Sequence, residues 1–198
     1  MKIVGFDINA SHEEHFILTN IQPIYEGLIS HCATYNSAKG FYHSVAFDYL
    51  DKSYRFIKIT PGNVIIDVLK VLNTKAKSVT FIGLAGSLHS KYKIGDIVLP
   101  RFVSNYTSLK SKKVLNKHEI SPIRICQVNG LVQHVSFYTK LLSRGIDLVD
   151  MESYYLTCHT TKKAVLQFIG IVSDMPLSMP FYKDIDVKID YKTLFQYL

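Results

Sequence analysis

"KSVTFIGLAGSLHSKYKIGDIVLP", residues 77–100, decides the architecture. Its first half reads as a strand that runs into the small residues Gly83, Ala85 and Gly86, and "KIGDIVLP" (93–100) reads as another strand. Small residues at a strand end let a ligand approach the backbone, and their N–H groups can bind an anion or a hydroxyl. A tight turn between two strands would use the same residues. No Gly-Lys-Ser/Thr follows, so this is not a phosphate loop of the Walker type.

Outward from that stretch, strand and helix patterns alternate. On the amino-terminal side, "KIVGF" (2–6) has the look of a buried first strand. "ASHEEHFILTNIQPIYEGL" (10–28) has helix-like apolar spacing after a Ser11 cap. "SVAFDYL" (44–50) and "YRFIKI" (54–59) form a plausible hairpin, and "PGNVIIDVLKVLN" (61–73) sets Val64, Ile65, Val68, Leu69 and Leu72 on one helical face. On the carboxyl side come a strand in 123–132, a helix over 136–145 ended by Gly145, a short strand at 146–149 and a helix over 151–161. "AVLQFIGIV" (164–172) is the last central strand and "DYKTLFQYL" (190–198) a short amphipathic helix. The expected architecture is α/β: one domain over 1–198, a three-layer sandwich with a central mixed β-sheet flanked by helices. In such sheets ligands bind beyond the carboxyl ends of the strands.

Composition narrows the class. Hydrophobic residues make up 47% and charged residues 20% of the 198, a globular balance. No apolar run approaches the ~20 residues of a membrane helix, and the N-terminus does not resemble a signal peptide. With three scattered cysteines (Cys32, Cys126, Cys158), a reduced cytoplasm is the expected location. Their spacings fit no metal site. The net charge of +7 comes mostly from lysine, densest in "SLKSKKVLNKH" (108–118). A basic cluster can steer an anion or nucleic acid, but no nucleic-acid motif accompanies it and a solvated lysine-rich loop explains it as well.

Two more strand ends carry chemistry. In "GIDLVDMESYY" (145–155) an apolar run ends in Asp150, Met151, Glu152 and Ser153. Asp150 suits a helix N-cap, and Glu152 complements the helix dipole. A carboxylate there is also suited to two neighbouring hydroxyls of a ribose, with Met151 as an adaptable apolar contact. "FIGIVSDMPL" (168–177) delivers Ser173 and Asp174, and an Asp with a raised pKa can act as a general acid. Glu13 and Glu14 suit either an exposed helix face or a carboxylate that activates water.

"GLAGSL…KIGDIVLP", then "VDMES", then a strand ending in "SD", resembles the nucleoside phosphorylase/nucleosidase superfamily. The resemblance implies a purine nucleoside or nucleotide as the small-molecule partner. No metal or organic cofactor, nucleic acid or membrane is implied, and a homo-oligomer is expected. It implies that Glu152 and Met151 hold the ribose, that Asp174 protonates the purine N7 with Ser173 beside it, and that Glu14 activates the attacking water. Gly83, Ala85 and Gly86 would lie under the ribose, and Phe137 would stack on the base. Phosphorylases of this family hold phosphate with arginines, and none of Arg55, Arg101, Arg124 and Arg144 falls in a matching position, which favours hydrolysis. The nucleosidases keep an Arg where Gly170 stands and a Ser where Leu84 stands. "SDMPL" is closer to AMP nucleosidase, which points toward a polar 5′ group.

Overall fold

The computed structural model describes residues 12–32, 36–39, 42–108, 112–113, 122–130, 132–181 and 187–198. The strand expected over 2–6 lies outside them. The helix expected over 10–28 divides: β1 occupies His15–Thr19 and α1 occupies Gln22–Ser30. β1 is a short apolar run held in parallel between two other strands, a setting in which both faces are buried and alternation is lost. Phe16, Ile17 and Leu18 are at most 1% exposed. The true helix start is marked by Pro23 in its first turn, where a missing N–H costs nothing.

The hairpin forms as expected from β3 (His43–Tyr49) and β4 (Lys52–Lys58), with β2 (Asn36–Lys39) along the outer edge of β3. α2 (Ile65–Leu72) follows a single 3-10 turn and buries Ile65, Val68, Leu69 and Leu72. β5 (Ser78–Ser87) is the long central strand. Only Ile97–Val98 of the next expected strand pairs, as β6, because Gly95 has φ +94° and Asp96 turns its carboxylate onto the Lys93 N–H. β7 (Phe102–Asn105), β8 (Lys112–Lys113), β9 (Arg124–Gln127), α3 (Val135–Ser143), β10 (Leu148–Asp150), α4 (Ser153–His159), β11 (Val165–Asp174) and α5 (Tyr191–Phe195) complete the order.

One mixed sheet runs β2-β3-β4-β1-β5-β10-β9-β7-β8, with β11 on the other edge of β5 and β6 paired to β11. Alternate residues of the central strands feed opposite faces. Phe16, Leu18, Phe81 and Phe168 join α2 and Leu156 of α4 on one face. Ile17, Phe56, Ile82 and Ile169 join Ile24, Tyr25 and Leu28 of α1 and Leu194 of α5 on the other. This is the three-layer sandwich with a mixed sheet and helices on both sides. A third cluster seats Tyr138 and Leu141 of α3 against Cys126, Val128 and Val149. Among the described residues, no helix is long and apolar enough to cross a membrane.

Candidate active site

The strand pairing of β5 creates an opening. β11 follows one edge from Ser78 to Gly86. On the other edge β1 runs parallel and stops at Ile82, while β10 runs antiparallel and begins at Ser87 and Gly86. The carboxyl ends of β1 and β10 therefore point at each other across Gly83–Leu84. The residues just beyond those ends, Asn20–Ile21 and Met151–Glu152, converge on one spot. Opposite, β11 carries an irregularity between Val172 and Asp174 and ends in Asp174 beside Gly86. A cavity of about 430 Å³ lies among these ends, a size suited to a small molecule.

Gly86, Met151, Glu152, Ser173 and Asp174 all line that cavity, together with Asn20, Ile21, Pro61, Leu84, Val149, Asp150, Phe181 and Val187. The lining is apolar apart from Asn20, Ser173 and three carboxylates, with no Lys or Arg among its described residues. Met151 also borders a smaller cleft of about 220 Å³ with Asn63, Asn129 and Tyr155.

Each carboxylate is held differently. Asp150 precedes α4: its Oδ2 accepts the N–H groups of Glu152 (3.0 Å) and Ser153 (2.6 Å), and its Oδ1 accepts the Ser153 hydroxyl (2.5 Å). The N-cap position of α4 falls on Glu152, and Asp150 instead braces the turn that leads into the helix while also walling the cavity. Its burial outweighs these donors and pushes its pKa up to about 6. Glu152 Oε1 accepts the Gly62 N–H at 2.8 Å, from the turn before α2. Burial first, then the Asp150 charge, raise the Glu152 pKa to about 7 against the donation of Gly62, Met151 and the Asn20 side chain. Asp174 is only 4% exposed. Its Oδ1 accepts the Ser173 hydroxyl at 2.8 Å and its Oδ2 the Phe181 N–H at 3.1 Å. Burial raises its pKa, opposed by those two donors. A carboxyl inclined to keep its proton in an apolar pocket is equipped to donate it.

The Phe181 contact comes from a strap. Met175 and Met179 pair with each other, closing a turn over 175–179. Pro176 of that turn sits where Gly86 lacks a side chain: a Cβ there would lie 2.9 Å from Pro176 Cγ and 3.2 Å from Asp174 Oδ1. Gly86 thus admits the acid and its strap.

Four expected site residues fall elsewhere. The Cβ position of Gly83 is filled by the Phe81 ring, and Ala85 is packed in the core on the α2 face, so both turn away from the cavity. Glu14 stands at the amino end of the sheet, where it pairs with Lys77 and its carbonyl accepts the N–H groups of Lys77 and Ser78 at the start of β5. The length of β1 separates it from the cavity, so the water-activating role expected of it does not fit. Its neighbour Glu13 is buried against Arg55 at 2.7 Å. Phe137 packs on the third cluster, edge-on to Tyr106, and is absent from the described lining. Among the described lining residues the aromatic is Phe181, 41% exposed. The departure at Gly170 is built into the core: a Cβ there would meet Val98 Cγ2 at 2.9 Å, leaving no room for an arginine. Among the described residues, no group of three or more His, Cys, Asp or Glu could hold a metal ion.

No protein-family model matches the chain, and no curated protein matches it in sequence. Solved structures match it in fold. A mutant of futalosine hydrolase from Helicobacter pylori superposes with TM-score 0.69 at 14% identity, over 83% of this chain and 89% of that one. The 5′-methylthioadenosine/S-adenosyl homocysteine nucleosidase of Campylobacter jejuni gives 0.67 at 14% identity, over 91% of each. Purine nucleoside phosphorylase from Toxoplasma gondii, in complex with immucillin-H, gives 0.65 at 18% identity, over 91% of this chain and 84% of that one. The chain shares the fold of these nucleosidase, hydrolase and phosphorylase structures, the fold that the resemblance in the sequence implied.

Proposed function

We propose that this protein is an N-ribosyl hydrolase that cleaves the N-glycosidic bond of a purine nucleoside. The observation that carries the reading is the meeting of Glu152 and Asp174 across one apolar cavity, at the carboxyl ends of β10 and β11. Fold neighbours that are nucleosidases and hydrolases of nucleosides support it. Glu152, ionised, accepts the two ribose hydroxyls and Met151 packs on the sugar. Asp174 gives its proton to N7 of the base, the C1′–N9 bond breaks with its electron pair passing to the base, and water adds to C1′. Loss of one proton from that water completes base and free ribose. A cavity lined by carboxylates suits the cationic character that the sugar gains as the bond breaks. It opposes an attacking phosphate, which supports hydrolysis over phosphorolysis.

The second reading is a nucleoside-binding protein without turnover. It is favoured by Glu14, which stands away from the cavity and leaves Asp150, Glu152 and Asp174 as the carboxylates of its described lining. We further propose a single domain over 1–198, a cytoplasmic location and no nucleic-acid or membrane partner. Most of the lysine cluster at 108–118 lies outside the described residues. A homo-oligomer with a neighbour closing the cavity is supported by Met179 and Phe181 on the strap, 44% and 41% exposed.

A base-release assay decides among these. Adenosine, inosine, guanosine, methylthioadenosine, S-adenosylhomocysteine and AMP are each incubated with the protein, with and without phosphate, and free base is read by chromatography. Release without phosphate is the expected result. Release only with phosphate would mean phosphorolysis, and binding without release would establish the second reading.

A further inference from the structure

Asn20 is the first residue past β1. Thr19 Oγ1 accepts the Ile21 N–H at 3.2 Å, which turns the chain off the strand and sets Asn20 in the cavity wall. Because β1 and β10 approach Gly83–Leu84 from opposite directions, the residues beyond their ends face one another. The Asn20 amide shares that wall with the Glu152 carboxylate and favours its ionised form. The Gly62 N–H takes Oε1 of the same carboxylate at 2.8 Å. Glu152 is thus flanked by two loops remote from it in sequence, one bonding it through Gly62 and the other bringing Asn20 to the same wall. The other end of the amide gains nothing: Asn20 Oδ1 is buried without a hydrogen-bond partner among the described residues. A buried acceptor with no donor weakens a fold, so stability does not account for an amide at this place. Its chemistry toward Glu152 does. A carboxylate at position 20 would put a third acid against Asp150 and Glu152, and an aliphatic side chain would leave Glu152 without a side-chain donor.

We propose that Asn20 is the positioning residue of this site: it holds Glu152 in the orientation that receives the two hydroxyls of a vicinal diol. The inference deepens, and rests on, the reading of the cavity as a ribose site. Asn20 makes the cavity selective for the diol without touching the bond that breaks.

The test compares the intact protein with Asn20→Ala and the isosteric Asn20→Asp. Without ligand, the Glu152 titration is followed by carboxyl-carbon NMR. Loss of a donor disfavours the ionised form, so the midpoint rises by about half a pH unit or more in Asn20→Ala, and further in Asn20→Asp, where a like charge is added. An unchanged midpoint in both overturns the proposal, and Asn20→Asp carries the test alone should Asn20→Ala not fold. With ligand, calorimetry compares adenosine with 2′,3′-dideoxyadenosine. Asn20→Ala is expected to weaken adenosine about tenfold and the dideoxy ligand less than twofold, in line with the net value of a hydrogen bond to a charged group. Equal losses for the two ligands would show a merely structural role and overturn the proposal. If the intact protein itself does not distinguish them, the ribose reading falls, and with it the diol selectivity proposed for Asn20.

Discussion

Glu152 is costly to keep ionised where it stands. It is 5% exposed, and burial with the neighbouring Asp150 raises its pKa from the ordinary 4.5 to about 7. The folded protein therefore holds this proton more tightly than the unfolded chain. Below pH 4.5 both states are protonated and the folded state keeps its advantage. Between 4.5 and 7 only the unfolded chain releases the proton, so stability falls as pH rises through that window, by about 3 kcal/mol at most. Glu152→Gln keeps an acceptor for the Gly62 N–H and removes the charge. It should be more stable than the parent at pH 8, with the gap closing toward pH 4.5, as read by urea unfolding across that range. A gap independent of pH would mean that Glu152 carries no such burden. The same variant should bind adenosine at least tenfold more weakly at pH 8, because an amide cannot accept from both hydroxyls with full charge. Asp174→Asn tests the acid: base release in a single turnover should fall by about a hundredfold or more, with little change in binding. Near-normal turnover would move the proton donor elsewhere.

At the scale of elements, the strap and the hairpin make separate claims. Gly86→Ala places a methyl against the Pro176 ring and Asp174 Oδ1. It should cost about 1–3 kcal/mol of stability and depress base release more than folding, since the strap and Asp174 shift together. Equal effects on both would deny the strap a role at the acid. The β3–β4 turn runs through Leu50 and Asp51 with φ +46° and +59°, a conformation that suits Asn-Gly far better. Leu50 is 73% exposed, so Leu50→Asn with Asp51→Gly removes strain without losing core and should stabilise by about 1 kcal/mol in thermal unfolding. Elements also explain which features are legible in the sequence. β5, β11, α2 and α3 are visible there because long apolar runs or a clear helical face mark them, and Glu152 and Asp174 are visible because each ends such a run. β1 is not, since five residues buried on both faces show no period that separates strand from helix. That one misplacement moves the expected start of the site onto Glu14 and hides Asn20, which has no titration of its own and acts through a partner far along the chain.

At the scale of the whole molecule, charge is divided between outside and inside. The chain carries +7 overall, while the described lining of the cavity holds Asp150, Glu152 and Asp174 and no Lys or Arg. The long-range field attracts anions; the cavity does not favour them. These effects act on different quantities, because surface charge raises association rates and is screened by salt, whereas the lining sets what is retained. The "SDMPL" loop points toward a nucleotide, but Ile21, Pro61, Leu84, Phe181 and Val187 offer an apolar surface to a 5′ substituent. Adenosine should therefore bind at least tenfold more tightly than AMP at physiological salt. The association rate of AMP should fall as salt is raised, while that of adenosine stays nearly constant, and stopped-flow binding at two ionic strengths reads both. AMP bound as tightly as adenosine would require a cationic group at the 5′ end and would return the nucleotide to first place as substrate. A preference for adenosine would mean that the positive surface serves encounter or solubility, and that the cavity lining, its carboxylates and apolar residues together, sets which ligands stay.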